Sequence, residues 1–246
     1  MIKQYSLSLV MPCKNEGKAL ETVLKKLPKE IDEVIVVDNN SNDSTKKVAK
    51  KYGARIFTEK RSDKHGIGYG FALQKGISQA KGTIVVCMDG DGSYPVKEIP
   101  HLAKTLIEKN LDFISCNRLP FKKPKDMSSV RAFGVKILNF ITWFLYGYKI
   151  NDSLSGMWVF KRYAFEEIGL IEGGWNLSLE IKLKALIHPG IKFSEHQISY
   201  RDRIFDLSKQ SLFQTGFEHV LYLFKFRLAL IKANNFSLGI NYFAKE

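Results

Sequence analysis

Runs of branched and apolar residues recur through the first half of the chain. Leu7 to Val10, Val34 to Val37, Ala54 to Phe57, Ile84 to Met88 and Phe113 to Ser115 each read as strands. Between them, apolar residues fall three and four apart, the spacing of one helical face. The sets are Leu20, Val23, Leu24 and Leu27; Val48 and Tyr52; Leu73, Ile77 and Ala80; and Ile99, Leu102, Leu106 and Ile107. Strand and helix in alternation predict βαβ units and an α/β fold on a doubly wound, mainly parallel sheet. Ligands of such sheets bind beyond the carboxyl ends of the strands. MPCKNE, VDNNSND and MDGDGS all stand at strand ends, so they are expected to converge on one crevice.

After Arg118 the pattern changes. LPFKKPKD is a basic loop with two prolines, and the spacing beyond it predicts a long helix over 128–146. A loop and strand follow in NDSLSGMWVFKR, then a helix near Leu177 to Ile187 and an alternating strand from Ile191 to Tyr200. A last helix is expected from about Gln210 to Ile231. No repeat or low-complexity tract interrupts the chain. The division expected is one domain over residues 1–210, which holds the strand-end motifs, and a helical extension over 211–246.

Composition narrows the partners. A chain of 246 residues with 45% hydrophobic and 26% charged positions can bury a sizeable core. Lys plus Arg is 38 against 25 for Asp plus Glu, a formal net charge of +13. That excess points to an anionic partner: nucleic acid, a phosphate-bearing ligand or an acidic membrane surface. Cys13, Cys87 and Cys116 lie in or beside apolar runs without metal-type spacing, so free buried thiols and a reducing compartment are expected. The apolar run near the start is too short for a signal-peptide core, and none reaches the ~18 residues of a membrane span. The expectation is a cytoplasmic protein.

The chemistry is concentrated at the strand ends. Asp89 and Asp91, one glycine apart, repel each other unless something positive sits between them. A hard divalent cation, Mg2+ or Mn2+, takes oxygen ligands and shares its shell with substrate phosphates. A plain polar turn is the competing reading; the place of DGD at the end of a β-branched strand favours metal. Asp38 stands where a carboxylate meets a nucleobase or ribose, whereas Asp43 or Ser44 is placed to cap the next helix. KHGIGYG lacks the dinucleotide fingerprint G-x-G-x-x-G, which argues against a nicotinamide or flavin site. It still allows a helix N-terminus to approach a phosphate.

In order, these segments resemble the family 2 glycosyltransferases, which have the glycosyltransferase A fold. VMPCKNE is similar to the family's V-x-P-x-x-N-E, VVDNNSNDST to V-D-D-x-S-x-D-x-T, and MDGDGSYP to D-x-D followed by proline. The branch it most resembles is the dolichyl-phosphate mannose or glucose synthases. KHGIGYGFALQKG is similar to their K-x-G-x-G segment, DSLSGMWVFKR to D-x-x-S-G-F, and YRDRIFDLSKQS to R-x-x-G-x-S-K. The resemblance implies that Pro12, Lys14, Glu16, Asp38 and Lys64 bind the nucleotide sugar, with Asp89 and Asp91 on its diphosphate and metal. It assigns Arg118 and Arg131, with Arg201, Arg203, Ser208 and Lys209, to the anionic donor and acceptor. Lys14 stands where an aromatic residue is common, Asn39 replaces a second aspartate, and Asp206 replaces the glycine before S-K.

The implied reaction inverts the anomeric centre, and the acceptor decides whether a base is needed. A phosphate monoester, with a second pKa of about 6, attacks as the dianion; a sugar hydroxyl needs a positioned carboxylate. Glu180 stands where many members carry that base, and the other reading makes it an exposed partner of Lys184 four residues on. Asp152 reads either as an acceptor-side residue or as a cap for the turn into SLSG. Arg118, Lys122, Lys123, Lys125 and Arg131 precede a helix rich in Phe133, Ile137, Phe140, Trp143 and Phe144. Cations beside such a face resemble an interfacial helix on anionic lipid; the other reading is a helix that covers the sheet.

Three functions follow. The first is hexosyl transfer to a polyprenyl phosphate, peripheral on the cytosolic face, with a membrane-spanning partner left open. The second is transfer to a saccharide hydroxyl with Glu180 as base. The third is a non-enzymatic nucleic-acid-binding module, against which stand the even spread of charge and the lack of a stacking-aromatic motif.

Overall fold

The computed structural model describes residues 5–66, 68–119, 129–201 and 212–236. Its strands are β1 (Leu7–Cys13), β2 (Glu33–Asp38), β3 (Arg55–Thr58), β4 (Ile84–Cys87), β5 (Phe113–Asn117), β6 (Trp158–Lys161) and β7 (Phe193–Gln197). The helices are α1 (Gly17–Leu24), α2 (Thr45–Lys51), α3 (Tyr69–Ser78), α4 (Ile99–Glu108), α5 (Ser129–Tyr146), α6 (Arg162–Ile168), α7 (Leu177–Ile187) and α8 (Leu212–Phe236).

The strands form one sheet in the order β3-β2-β1-β4-β6-β5-β7. β1 pairs in parallel with β2 and β4, β2 with β3, and β5 with β7. β6 runs antiparallel between β4 and β5. The α/β fold and the mainly parallel sheet expected from the alternation are both present. The direction of β6 was not legible, because a short, continuously apolar run lacks the alternation that marks an antiparallel strand with one wet face.

Side chains alternate across each strand, so the sheet feeds two cores. Leu7, Leu9 and Met11 pack with Leu20, Val23, Val48, Leu102 and Leu106 on the face covered by α1, α2 and α4. Val10, Ile35 and Val37 pack with Leu73, Ile77, Ala164 and Ile181 on the face covered by α3, α6 and α7. A third cluster of Leu138, Leu179, Leu183, Tyr222 and Leu223 joins α5, α7 and α8. The part of 211–246 that is described thus packs as α8 against α5 and α7. All three cysteines are free and buried, as expected. The strand expected over Ile191 to Tyr200 is confined to β7, and α6 is a short helix that the apolar spacing did not announce.

Candidate active site

The loops that follow β1 and β2 are tied to each other. The Asn39 N–H donates to the Cys13 carbonyl at 2.8 Å, the Asn15 N–H to Ser41 Oγ at 2.9 Å, and the Asn42 N–H to Asn15 Oδ1 at 2.7 Å. Asn15 and Asn40 take φ of 53° and 58°, a left-handed backbone that asparagine tolerates better than most residues. Asp43 Oδ2 accepts the Gly17 N–H at 2.9 Å, and its Oδ1 accepts the Thr45 N–H at 2.9 Å. One carboxylate therefore binds the first N–H of both α1 and α2; a bond to the start of α2 was expected of Asp43 or Ser44, and the bond to α1 was not. Burial works to raise the Asp43 pKa, yet the bonds from Thr45 and Gly17 hold it below the usual carboxylate range.

Asp38 is wholly buried, and its side chain serves this loop. It accepts the Ser41 N–H at 3.2 and 3.3 Å and pairs with Lys46 Nζ at 3.1 Å.

β4 delivers Asp89 and Asp91 to the same edge. Asp91 is 3% exposed, and its Oδ1 accepts the Ser93 N–H at 3.0 Å and the Ser93 hydroxyl at 2.6 Å. The Tyr69 hydroxyl hydrogen-bonds to Asp89. The intervening glycine is required sterically: a Cβ on Gly90 would lie 2.5 Å from Cys13 Sγ and 3.3 Å from Glu16 Oε2. Burial pushes the Cys13 thiol well up, and the charges of Glu16, Asp89, Asp91 and Asp38 push it further. Four carboxylates thus stand around the end of β1, the convergence expected from the sequence. Paired carboxylates of this kind fit a hard divalent cation. Among the described residues they form no cluster of three or more metal-ligating side chains.

Asp89 also lines a cavity of ≈ 440 Å³. Tyr69, Tyr94, Arg118 and Trp175 stand around it there, while α5 and α8 supply apolar walls that include Val135, Leu138 and Phe217. A Cβ on Gly156, another lining residue, would stand 2.8 Å from the Tyr69 hydroxyl and 3.5 Å from Asp89 Oδ1, so a bare backbone keeps this approach open. Tyr94 accepts the Gly156 N–H at 2.7 Å, and Tyr69 stacks at a tilt on Trp175 with centroids 4.8 Å apart. Burial raises both phenols well above their ordinary value, so each stays a neutral hydrogen-bonding group.

Arg118 is held from behind. Its Nε donates to Asp152 Oδ2 at 2.7 Å, its Nη2 to Oδ1 at 2.9 Å, and its own N–H to Oδ2 at 3.0 Å. The guanidinium lies over the Tyr200 ring, 5.2 Å from the centroid. Asp152 also accepts the Leu154 N–H at 3.2 Å, so it both caps the SLSG turn and fixes the arginine.

Of the other residues singled out, Pro12 is buried in β1, Lys14 and Lys64 are exposed, and Arg131 on α5 lines the cavity half-buried. Arg201 is exposed, and its N–H donates to the Ser93 carbonyl at 3.1 Å beside the DGD loop. Arg203, Ser208 and Lys209 lie outside the described residues, as do Lys122, Lys123 and Lys125.

Glu180 needs correction. It is completely buried rather than exposed, and it is not among the cavity-lining residues. Its carboxylate accepts the N–H groups of Ile171 and Glu172 at 2.8–3.1 Å and pairs with Lys184 Nζ at 2.7 Å. The expected partner is present, but the setting is a closed turn.

The sequence reading missed Tyr69, Tyr94, Trp175, Tyr200 and His219. Tyr94 follows DGD within three residues and had a usable signal. His219 had none: it sits 3% exposed on α8 with Nδ1 2.7 Å from Asn176 Oδ1, and burial followed by the Lys182 charge lowers it to about 4.

Known proteins resemble this chain in sequence and in fold. An uncharacterized glycosyltransferase of Mycobacterium bovis is 30% identical over 206 residues, spanning 84% of this chain and 90% of its own. A dolichyl-phosphate hexose transferase of Haloferax volcanii is 29% identical over 203 residues, 80% of this chain and 83% of its own. Among solved structures, glucosyl-3-phosphoglycerate synthase of Mycobacterium tuberculosis, in complex with Mn2+ and UDP-glucose, superposes with a TM-score of 0.70. It is 19% identical, covering 89% of this chain and 79% of that one, and so shares the fold. The family model for glycosyl transferase family 2 matches residues 8–169. By that match, and by the strand-end motifs it spans, the chain belongs to glycosyl transferase family 2.

Proposed function

We propose that this glycosyltransferase moves a hexose from a nucleotide sugar, of the GDP-mannose or UDP-glucose type, to a polyprenyl phosphate at an anionic membrane surface. The observation that carries the reading is one cavity with two chemistries. Asp89 and Arg118 stand in it, and the walls are two apolar helices. A lipid phosphate has the same division, with its anion for Arg118 and Arg131 and its chain for the groove between α5 and α8. The dolichyl-phosphate acceptor named for the Haloferax relative supports the same acceptor here.

The donor would bind over the strand ends, with Pro12, Lys14, Glu16, Asp38 and Lys64 toward the nucleoside, Asp89 and Asp91 toward the diphosphate, and Arg201, Arg203, Ser208 and Lys209 as further anion contacts. Asp89 and Asp91 would hold Mg2+ or Mn2+, which neutralises the departing diphosphate. Arg118 and Arg131 orient an acceptor phosphate oxygen toward the anomeric carbon. The new C–O bond forms as the bond to the diphosphate breaks, the configuration inverts, and no base is required because the acceptor is already ionised. Tyr69 and Trp175 exclude water from the reacting carbon.

Both helices bear an exposed apolar stripe at three- and four-residue spacing that begins at the mouth of the cavity, which Val130, Phe133, Ile137, Phe213 and Phe217 line, and runs on beyond it. On α5 it is Val130, Phe133, Ile137, Phe140 and Phe144; on α8 it is Phe213, Phe217, Leu221, Phe224, Leu228 and Ile231. Lys136, Lys225 and Lys232 are exposed on the same helices, an arrangement that matches an anionic bilayer. No helix among the described residues is long and apolar enough to cross a membrane. The attachment in this reading is peripheral, on the cytosolic face, through the exposed stripes of α5 and α8.

The saccharide-hydroxyl reading loses its base, because the Glu180 carboxylate is already bonded and lies outside the cavity. The donor half of the proposal is tested by a thermal-shift panel of GDP, UDP and their sugars with and without Mn2+. A metal-dependent shift with one base, lost in Asp91→Ala, is expected. A panel without any metal-dependent shift would contradict it.

A further inference from the structure

The loop over residues 59–66 and helix α8 lie far apart in the chain, and they meet at one side chain. His65 Nε2 stands 2.6 Å from Glu218 Oε1, and its Nδ1 stands 3.3 Å from Gln214 Nε2. A single neutral tautomer makes both bonds: Nε2–H donates to the carboxylate while Nδ1 accepts from the amide. Gln214 and Glu218 are one helical turn apart, so they share a face of α8 and hold the ring between them.

The loop side of this contact is firmly seated. Asp63 Oδ1 accepts the His65 N–H at 2.8 Å, and the Asp63 carbonyl accepts the Gly66 N–H at 3.0 Å. A Cβ on Gly174 would collide with the Asp63 carboxylate, so the loop lies directly on the turn that carries Trp175. The next segment is bound to the same turn, with the Phe71 N–H donating to the Gly173 carbonyl at 3.1 Å and Gln74 Nε2 to the Glu172 carbonyl at 2.8 Å.

The helix side is less enclosed. From His219 onward α8 is anchored by the bond to Asn176 and by Tyr222 and Leu223, which pack with α5 and α7. In the turn before that, Phe213 and Phe217 are 86% and 65% exposed. This turn nevertheless gives Thr215, Gly216 and Phe217 to the cavity wall. The residues that hold His65 thus flank those that line the cavity, and the contact sets how the turn is rotated toward it.

We propose that His65 is a positioning residue for the acceptor: by holding Gln214 and Glu218 it fastens the first turns of α8, the acceptor-side wall, to the loop on the donor side. The inference rests on the reading of this cavity as the lipid-phosphate site and of the loop bearing Lys64 as part of the donor site. His65 is not among the cavity-lining residues, so it acts through α8. Without the ring the loop keeps its bonds to residues 172–174, and the first turns of α8 are what loosen. The acceptor KM is therefore the constant that moves.

Two readouts test this: steady-state transfer of hexose to farnesyl phosphate with Mn2+, and hydrogen exchange of residues 213–218. His65→Ala and Glu218→Ala are each expected to raise the KM for farnesyl phosphate about fivefold, the worth of one net hydrogen bond. The KM for the nucleotide sugar and kcat should change little. The double variant should be no worse than either single one, because the two residues share one bond. His65→Gln keeps an amide N–H for Glu218 and should recover most of the acceptor KM. Exchange over 213–218 should quicken in both alanine variants and stay as in wild type beyond Tyr222.

Additive effects in the double variant, a donor KM raised as much as the acceptor KM, or exchange equal to wild type overturns the role of His65. A wild type that transfers nothing to farnesyl phosphate overturns the lipid acceptor instead, and the exchange comparison then decides the contact by itself.

Discussion

Arg118 and Asp152 form a bidentate pair at the inner wall of the cavity, with both side chains almost entirely withdrawn from water. Burial alone would raise Asp152, yet the charge and hydrogen bonds of Arg118 hold it below the usual carboxylate range. Two buried charges that satisfy each other leave a large penalty when one is removed.

Asp152→Ala is therefore expected to lose about 3–5 kcal/mol of stability, read from urea denaturation. The pH dependence has a defined sign. A carboxylate whose pKa is lowered on folding stabilises above its unfolded value and loses that contribution as pH falls through the folded one. Wild type should lose stability relative to Asp152→Ala on acidification below the ordinary aspartate range. Parallel curves down to pH 3 would contradict the pairing.

Glu180→Gln separates two roles. As a general base its loss would abolish transfer at every temperature. As the carboxylate that binds the 171–172 backbone and Lys184, its loss weakens folding and spares the chemistry. A lower Tm is expected, with kcat within a few-fold of wild type where the variant is folded. Abolished transfer by a fully folded variant would restore the saccharide-hydroxyl acceptor.

The strand-end motifs were legible because their chemistry is local. Asp89 and Asp91 follow a β-branched run, and Asp43 stands at a helix start, where the residue type itself carries the signal. Glu180 was half legible. Its pairing with Lys184 follows from helical spacing, but a Glu and a Lys four residues apart read as an exposed pair. In the fold α5 and α8 pack over part of α7, with Leu179 and Leu183 in their shared cluster. Trp175 and His219 reach the cavity only through packing between distant segments, which no spacing in the sequence encodes.

Membrane attachment is tested away from the cavity. Phe140 and Phe144 are 60% and 72% exposed on α5 and do not line it. The double substitution Phe140→Glu and Phe144→Glu should abolish co-sedimentation with vesicles containing phosphatidylserine. Folding stability should stay within about 0.5 kcal/mol, as for other exposed positions. Unchanged vesicle binding would remove α5 from the interface.

The acceptor itself is tested most directly by transfer of labelled hexose from the nucleotide sugar selected in the binding panel, with Mn2+ and either farnesyl phosphate or farnesol. Product on the phosphate alone, absent in Asp91→Ala and in Arg118→Ala, is the predicted result. Equal transfer to farnesol, or transfer to a free saccharide with none to the phosphate, would contradict it.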